Sequence, residues 1–282
     1  MNVIFSIYID VDDADLDNPA RFRMNGDQEV SSKSKNTKEQ FKKYWELLTY
    51  RQRQYANKIN ADYYLYKADS KFENFKNWFT KNIPEMSQFD IICFYRHHIM
   101  DELAKNYHGV LYLDLDIVPY SNENIFEIFD LDCITVADST NKSRYGRSIE
   151  PRFFNSCIRD PSTKWFNAKA LLEEKGLSVD DNVYNTGIML AGSNAIRHLN
   201  FFDNFKDGIS LMKRVKEDNN YPYQISRVFG FDTETYFSLR VNETASKVGF
   251  FDKDWHCTSL SDRRLRTAKF VHVISKEFEK IL

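Results

Sequence analysis

The amino-acid sequence predicts an α/β fold in which helices flank a mostly parallel β-sheet. Short, continuously apolar segments alternate with longer segments of helical periodicity, which is the pattern of repeated β–α–β units. The apolar segments lack the polar alternation of strands that have one face in water, so helices should cover both faces of the sheet. In addition, two carboxylates close the third apolar segment, at the strand end where such sheets bind ligands.

The elements of the first half follow from this pattern in chain order. Residues 2–9 (NVIFSIYI) predict a first strand, and residues 38–58 predict a helix with large apolar side chains at helical spacing. Residues 61–68 predict a second strand. Residues 89–107 predict a second helix, and Gly109 fits a C-cap at the end of that helix.

The elements of the second half are predicted in the same way. After the third strand, which runs into the acid pair, residues 132–138 predict a buried strand and residues 183–191 predict a strand with an internal glycine. Residues 139–165 are expected to be irregular. Two helices should span residues 193–217 and 231–243. The chain has no internal repeat and no Pro/Gly/Ser-rich linker, so we expect one domain over residues 1–282.

Composition and charge argue against several classes of protein. Hydrophobic residues make up 42% of the chain and aromatic residues 15%, which is enough for a sizeable core, and a net charge of −2 gives no global basic field for nucleic acid. The four cysteines are widely spaced, which argues against a zinc site or a disulfide framework. We find no membrane-spanning run and no signal peptide pattern, and therefore expect a cytoplasmic protein.

The segment VLYLDLDIVPY, at residues 110–120, carries the main functional signal. It places Asp114 and Asp116 at the end of a strand that reads as fully buried, and buried carboxylates are costly unless they are paired, hydrogen-bonded or bound to a metal. Two carboxylates there would form a hard, oxygen-rich site suited to Mg²⁺ or Mn²⁺. The segment also fits the DxDx[TV] pattern of haloacid-dehalogenase-like phosphatases, with Asp114 as nucleophile. A solvated loop is the third interpretation.

Further motifs follow this segment in a characteristic order. The stretches FYRHHIMDELAKNYHGVLYLDLDIVP, VYNTGIML and FVHVISK together resemble the GT-A glycosyltransferases, in particular the family 8-like group of glycogenin and bacterial galactosyltransferases. The resemblance implies a GT-A, Rossmann-like, mixed and mostly parallel sheet flanked by helices. It also implies transfer of a sugar from a nucleotide-sugar donor, a UDP-sugar, to an acceptor hydroxyl with retention of configuration.

The resemblance also implies roles for individual residues. The metal, Mn²⁺ or Mg²⁺, would be held by Asp114, Asp116 and His272. Because one ligand is an imidazole, Mn²⁺ is favoured over Mg²⁺. Donor binding is expected of Ser6, Ile7, Tyr8, Arg96, Gly187 and Lys276. Contact with the reacting sugar and catalysis are expected of Asn185, Asp232 and Glu234.

The sequence departs from the family pattern at two places. Lys276 follows His272 too closely, and no Pro-Trp pair comes after it; Thr233 stands where the family often has Gln. These departures favour an alternative in which the chain is a nucleotide-sugar-binding module without turnover.

Two local clusters of basic residues bear on the acceptor. The first contains Arg144, Arg147 and Arg152, and the second contains Arg263 and Arg264. Such clusters are usually solvated faces, so a saccharide acceptor is the main expectation. Hydroxylated bases of DNA are the alternative acceptor, since basic patches interleaved with aromatic residues suit a phosphate-rich partner.

Overall fold

The computed structural model of the chain describes residues 1–13, 27–138, 161–178, 182–218, 220–221 and 230–282. The strands are β1 (Asn2–Ile7), β2 (Asp62–Tyr66), β3 (Gly109–Leu113), β4 (Ile117–Pro119), β5 (Ile134–Asp138), β6 (Tyr184–Gly192), β7 (Val248–Phe251) and β8 (Phe270–His272). The helices are α1 (Asp27–Lys58), α2 (Ser70–Asn82), α3 (Gln88–Leu103), α4 (Ile125–Ile128), α5 (Pro161–Glu174), α6 (Ser193–Leu199), α7 (Phe205–Glu217), α8 (Thr233–Glu243) and α9 (Asp262–Leu265). A 3₁₀ turn at Phe278–Lys280 lies near the C-terminus.

Six strands form the main sheet in the order β2-β1-β3-β6-β5-β7. Strand β1 is parallel to both β2 and β3, and β7 is parallel to β5, whereas β6 runs antiparallel to its neighbours β3 and β5. The expected mixed, mostly parallel sheet is therefore confirmed, and the parallel β2-β1-β3 half comes from the alternating segments at the start of the chain.

Helices cover both faces of this sheet, which explains the continuously apolar strands. In β1, Val3 and Phe5 pack into one hydrophobic cluster while Ile4 packs into another, and all three are fully buried. In β3, Tyr112 joins the first cluster and Leu111 the second. Because neighbouring side chains of a strand point to opposite faces, a strand buried on both sides has to be apolar at successive positions.

A second, two-stranded sheet brings the end of the chain to the acid pair. Strand β4 begins directly after Asp116 and pairs antiparallel with β8, with Ile117 opposite His272. The backbone N–H of Val273 donates to the carbonyl of Asp116 at 2.9 Å. The small sheet thus places a residue from the last strand next to carboxylates that precede it by more than 150 positions.

Several element boundaries differ from the sequence-based prediction. The helix expected at residues 38–58 begins earlier, at Asp27, and α2 was not predicted. The helix expected at residues 193–217 is two helices, because Asn200 and Asn204 adopt left-handed backbone angles (φ 42° and 51°) that asparagine tolerates better than most residues.

The expected C-cap at Gly109 is wrong. Helix α3 ends at Leu103, and Gly109 is the first residue of β3. A Cβ at this position would lie 2.8 Å from both the Asn2 side chain and the Phe126 ring, so close packing requires the glycine.

Of the helices in the described ranges, none is long and apolar enough to cross a membrane. The predicted irregular stretch at residues 139–165 lies mostly outside the described residues, and α5 begins within it at Pro161.

Candidate active site

The acid pair and the late histidine come together at the carboxyl end of β3. One ligand atom from each of Asp114, Asp116 and His272 lies within 4.8 Å of the other two. Nε2 of His272 is 3.3 Å from Oδ2 of Asp116. The side chain of Asp114 is 34% exposed and that of Asp116 is 5% exposed, so the group opens to solvent on the Asp114 side.

The backbone of the acid pair forms a turn held from three directions. The N–H of Asp114 donates to the carbonyl of Gly187 in β6 at 2.7 Å, and the N–H of Ile117 closes the turn onto the carbonyl of Asp114 at 3.0 Å. On the helix side, the fully buried Gln52 of α1 donates its amide to the carbonyls of Asp114 and Ile117 at 3.0 and 2.9 Å. A glutamine in a helix carries no local signal, so the role of Gln52 could not be predicted from the sequence.

Neighbouring charges act differently on the two carboxylates. Burial raises the pKa of Asp114, the negative charge of Asp116 adds to this, and Arg96, whose Nη1 is 3.8 Å from Oδ1, opposes it. Burial alone would also raise the pKa of Asp116, but the ammonium of Lys276 and the imidazole of His272 hold it below its usual range. Lys276 contacts Oδ2 of Asp116 directly. Lys276, which follows His272 more closely than the family pattern has it, therefore lies beside the acid pair.

Gly187 provides the space between the ligand groups. A Cβ at this position would lie 2.6 Å from Oδ2 of Asp114 and 3.2 Å from Cε1 of His272. The neighbouring Asn185 accepts a hydrogen bond from the Gly187 N–H through Oδ1 at 3.1 Å and is half-buried. The NTG motif, formed by Asn185, Thr186 and Gly187, thus lies directly against the acid pair, and a side chain larger than hydrogen at its third position would fill the gap.

Arg96 links this group to the first residues of β6. Its guanidinium is 8% exposed, donates through Nη1 to the carbonyl of Thr186 at 2.8 Å, and lies 5.3 Å from the centre of the Tyr112 ring. The hydroxyl of Tyr112 donates to Oδ1 of Asp114. Arg96 is therefore not a surface residue of helix α3, because its side chain is buried beside the acid pair.

Asp232 and Glu234 lie at the start of α8, where Glu234 contacts Thr186 of β6. Glu234 is 8% exposed and accepts from the Thr186 N–H at 2.8 Å, and its other carboxylate oxygen contacts Lys164 of α5. Its pKa is lowered chiefly by the charge of Lys164, against the effect of burial. Asp232 caps α8 by accepting from the N–H of Thr235 at 2.8 Å. Glu234 therefore does not face solvent, and Lys164 is a site residue that the sequence analysis missed.

The three residues at the end of β1 have different environments. Ser6 is fully buried and donates to Oε1 of Gln52 at 2.6 Å, which argues against the donor contact predicted for its side chain. Ile7 is buried in the first hydrophobic cluster. Tyr8 is half-buried and stacks on Trp45, with ring centres 5.4 Å apart and 18° between the planes. Of these three residues, Ser6 and Ile7 are buried and Tyr8 is partly exposed.

The Asp114, Asp116 and His272 group has the composition of a divalent-metal site. Carboxylate oxygens with one imidazole nitrogen suit Mn²⁺, and also Mg²⁺ if the imidazole contributes little. The missing side chain at Gly187 leaves room beside two of the three ligands. These residues therefore fit the metal that the resemblance implies.

A second histidine stands behind His272. Nε2 of His256 is 2.8 Å from Nδ1 of His272, and His256 comes from the loop between β7 and α9. Burial, followed by the proximity of His272, lowers the pKa of His256 to about 3. His256 could not be predicted from the sequence, because only the fold brings it next to His272.

Only one of the two basic clusters lies within the described residues. Arg263 and Arg264 are exposed on α9, whereas Arg144, Arg147 and Arg152 lie outside the described residues. The part of the chain that the structure describes adds no support for a DNA acceptor.

Comparisons with known proteins give similarities at the level of structure. No protein-family model matches the chain, and no curated protein matches it in sequence. It is similar to a solved glycosyltransferase involved in the glycosylation of the major capsid of PBCV-1, with 13% identity, a TM-score of 0.47, and coverage of 99% of this chain and 96% of that one.

Two further solved structures have comparable similarity. For mouse xyloside xylosyltransferase 1 the identity is 13%, the TM-score 0.45, and the coverage 97% of this chain and 98% of that one. For the galactosyltransferase LgtC in complex with donor and acceptor sugar analogs, the identity is 13%, the TM-score 0.47, and the coverage 97% and 87%. Because these values are low, we infer function from the residues of the site.

Proposed function

We propose that the chain is a metal-dependent glycosyltransferase that moves a sugar from a UDP-sugar donor to the hydroxyl of a saccharide acceptor, with retention of configuration. One observation carries the proposal. The motifs that resemble the GT-A glycosyltransferases are scattered from residue 96 to residue 276, yet they meet at the acid pair. Arg96 and Gly187 contact Asp114, and His272 and Lys276 contact Asp116. A solvated loop at the acid pair would not assemble them.

In this proposal the chain's own residues hold the two ends of the donor. Asp114, Asp116 and His272 hold Mn²⁺ or Mg²⁺, which when bound neutralises the diphosphate as a Lewis acid. Lys276 and Arg96 bring two further positive charges to the same side, where they would stabilise the departing nucleoside diphosphate.

The sugar would lie toward the NTG motif. Asn185 is half-buried beside Gly187 and has an amide group suited to a sugar hydroxyl. Asp232 and Glu234 lie at the start of α8, where Lys164 stands beside both carboxylates and the N–H of Thr186 donates to Glu234. We propose that this acidic pair faces the reacting sugar and stabilises positive charge that develops on the ring, as an oxocarbenium-like state requires. Tyr8 would contact the base at the end of β1.

The experiment is an assay of a panel of nucleotide sugars for hydrolysis and transfer with Mn²⁺, with Mg²⁺ and with a chelator. We expect metal-dependent turnover with a UDP-sugar. The informative variant is Asp114→Asn, since its carboxylate is about a third exposed and its loss should spare the fold. We expect kcat/KM to fall at least about 100-fold. Asp132→Asn, at an exposed position after α4, is the matched control.

Other outcomes identify the alternatives. Tight binding of a nucleotide sugar without turnover under any metal condition would indicate a binding module. A phosphoryl group trapped on Asp114 would indicate a phosphatase of the haloacid-dehalogenase type. Either outcome contradicts the proposed transferase.

A further inference from the structure

His272 is held between two partners, one at each ring nitrogen. Nε2 faces Oδ2 of Asp116 at 3.3 Å, and Nδ1 faces Nε2 of His256 at 2.8 Å. The two imidazole rings are inclined at 60°, with their centres 5.1 Å apart. His272 is 6% exposed, so its hydrogen-bonding partners come from the protein.

Of the two ring nitrogens that face each other, Nε2 of His256 and Nδ1 of His272, only one carries a proton. Two ring nitrogens at hydrogen-bond distance require one donor and one acceptor. If Nε2 of His272 binds a metal, that nitrogen is unprotonated, and the neutral ring carries its proton on Nδ1. Nε2 of His256 is then the acceptor, and the proton of His256 resides on its own Nδ1.

The backbone around His256 is pinned to the same small sheet as His272. The N–H of Cys257 donates to the carbonyl of Phe270 at 2.9 Å, and the carbonyl of Cys257 accepts from the N–H of His272 at 2.8 Å. On the other side, the N–H of His256 donates to the carbonyl of Asp252 at 2.9 Å. The relative position of the two rings is therefore built into the fold and does not depend on a flexible surface loop.

We propose that His256 is a positioning residue for the metal centre: its Nε2 accepts a hydrogen bond from the Nδ1–H of His272 and so keeps Nε2 of His272 unprotonated and aimed at the metal. The inference rests on the proposed metal site. Partners behind a ligating histidine fix its tautomer and ring orientation, and their loss weakens metal binding. Histidine in this place supplies an acceptor that a carboxylate or carbonyl more often supplies.

The test is direct metal binding, with neither nucleotide nor sugar present. Free Mn²⁺ is measured by electron paramagnetic resonance during titration of wild type, His256→Leu and His256→Gln. Leucine has no acceptor, so we expect a dissociation constant about 10–100-fold higher. Glutamine offers an amide oxygen at similar reach, and we expect it to restore binding to within about threefold of wild type. A role in packing alone would not distinguish leucine from glutamine in this way.

A second measurement does not depend on a variant that folds. Nitrogen NMR of the isotopically labelled wild type, loaded with diamagnetic Cd²⁺, reports which ring nitrogen carries each proton. We expect protons on Nδ1 of both histidines. A proton on Nε2 of His256 would overturn the inference, as would unchanged Mn²⁺ affinity in His256→Leu or equally weak binding in both variants. Failure of wild type to bind Mn²⁺ would overturn the metal site itself, and this inference with it.

Discussion

At the scale of single residues, Gly187 shows how little space the site leaves. A methyl group added to its Cα would lie 2.6 Å from Oδ2 of Asp114, which is well below van der Waals contact distance. The Asp114 side chain has little freedom to retreat, since Oδ1 accepts from the hydroxyl of Tyr112. Glycine at the end of the NTG motif is therefore a requirement of the neighbouring carboxylate.

We expect Gly187→Ala to raise the dissociation constant for Mn²⁺ at least about tenfold and to lower the free energy of unfolding by about 1–3 kcal/mol, as overpacking does. Metal titration and urea denaturation measure the two effects. The control is Gly249→Ala in β7, where the added Cβ meets the Thr135 side chain at 3.0 Å. That control should leave metal binding unchanged, and equal metal affinities for both variants would contradict the close-approach argument.

Asp116 differs from Asp114 in what its loss would do. Its carboxylate is 5% exposed and contacts both Lys276 and His272, so removal of its charge leaves a half-buried lysine without its partner. Breaking a buried pair in this way costs about 3–5 kcal/mol. We expect Asp116→Asn to lose metal binding and also to melt at a clearly lower temperature than Asp114→Asn. Equal melting temperatures of the two variants, measured calorimetrically, would contradict the structural role of the Asp116 charge.

At the scale of elements, helix α1 supports the turn that carries the acid pair. Gln52 uses all of its side chain for this purpose: its amide donates to the carbonyls of Asp114 and Ile117, and its Oε1 accepts from Ser6 and Tyr63. The helix thereby connects the first two strands of the sheet to the turn after the third. A metal site on such a turn depends on this support for its geometry.

We expect Gln52→Met, which keeps the length of the side chain and removes its hydrogen bonds, to lower the free energy of unfolding by about 2–4 kcal/mol. The dissociation constant for Mn²⁺ should rise because the turn is no longer fixed. Gln54→Met on the same helix is the matched control, since Gln54 bonds to the hydroxyl of Tyr50 near the surface and should change stability by less than about 0.5 kcal/mol. Similar unfolding curves for both variants would show that Gln52 does not support the turn.

Strand β8 contributes to the hydrophobic core as well as to the candidate site. Strand β8 and the segment after it contribute Phe270, Val271, Val273 and Phe278, all fully buried. Val271, Val273 and Phe278 belong to a hydrophobic cluster that also contains Leu48 and Val118, so deletion of this segment would disrupt that cluster as well as remove His272. Point substitutions at His272 and Lys276 therefore test the site more cleanly than truncation does.

At the scale of the whole molecule, buried histidines couple stability to pH. His97 is 2% exposed and stacks on Phe201 with ring centres 3.7 Å apart, and burial, followed by the charge of Arg96, lowers its pKa well below 6.5. Below about pH 6.5 the unfolded chain binds a proton at this position and the folded protein does not. The contribution of His97 to stability is therefore fully present at higher pH and decreases as the pH falls.

Replacement of the His97 imidazole by a phenyl ring isolates its contribution to the pH dependence of stability. We expect His97→Phe to reduce the dependence of the free energy of unfolding on pH, below about pH 6.5, by up to about 1.4 kcal/mol per pH unit. Chemical denaturation at a series of pH values measures both slopes. Asp101, whose pKa burial raises to about 7, contributes in the opposite direction, but it does so equally in both proteins and cancels in the difference. Identical slopes for wild type and variant would contradict a neutral, buried His97.

The sequence by itself determined the class of fold and the centre of the site. Continuous apolar segments buried on both faces, helical periodicity between them and a carboxylate pair after the third strand are local patterns, and local patterns follow from backbone geometry and burial. They were sufficient to predict β1, β2 and β3 and to place Asp114 and Asp116 at a strand end. His272 was predicted through the resemblance to the GT-A glycosyltransferases, which depends on the order of distant motifs.

The tertiary structure alone decided the direction of β6 and the partners of the acid pair. An antiparallel strand buried on both faces has the same apolar pattern as a parallel one, so the NTG strand could not reveal its direction. Gln52, Lys164 and His256 carry no local signal, because a polar side chain in a helix or loop is usually solvated. Each becomes part of the site through a contact with a group 62, 70 or 16 positions away in the chain. Such contacts arise from packing, which brings together residues whose chemistry no stretch of sequence displays.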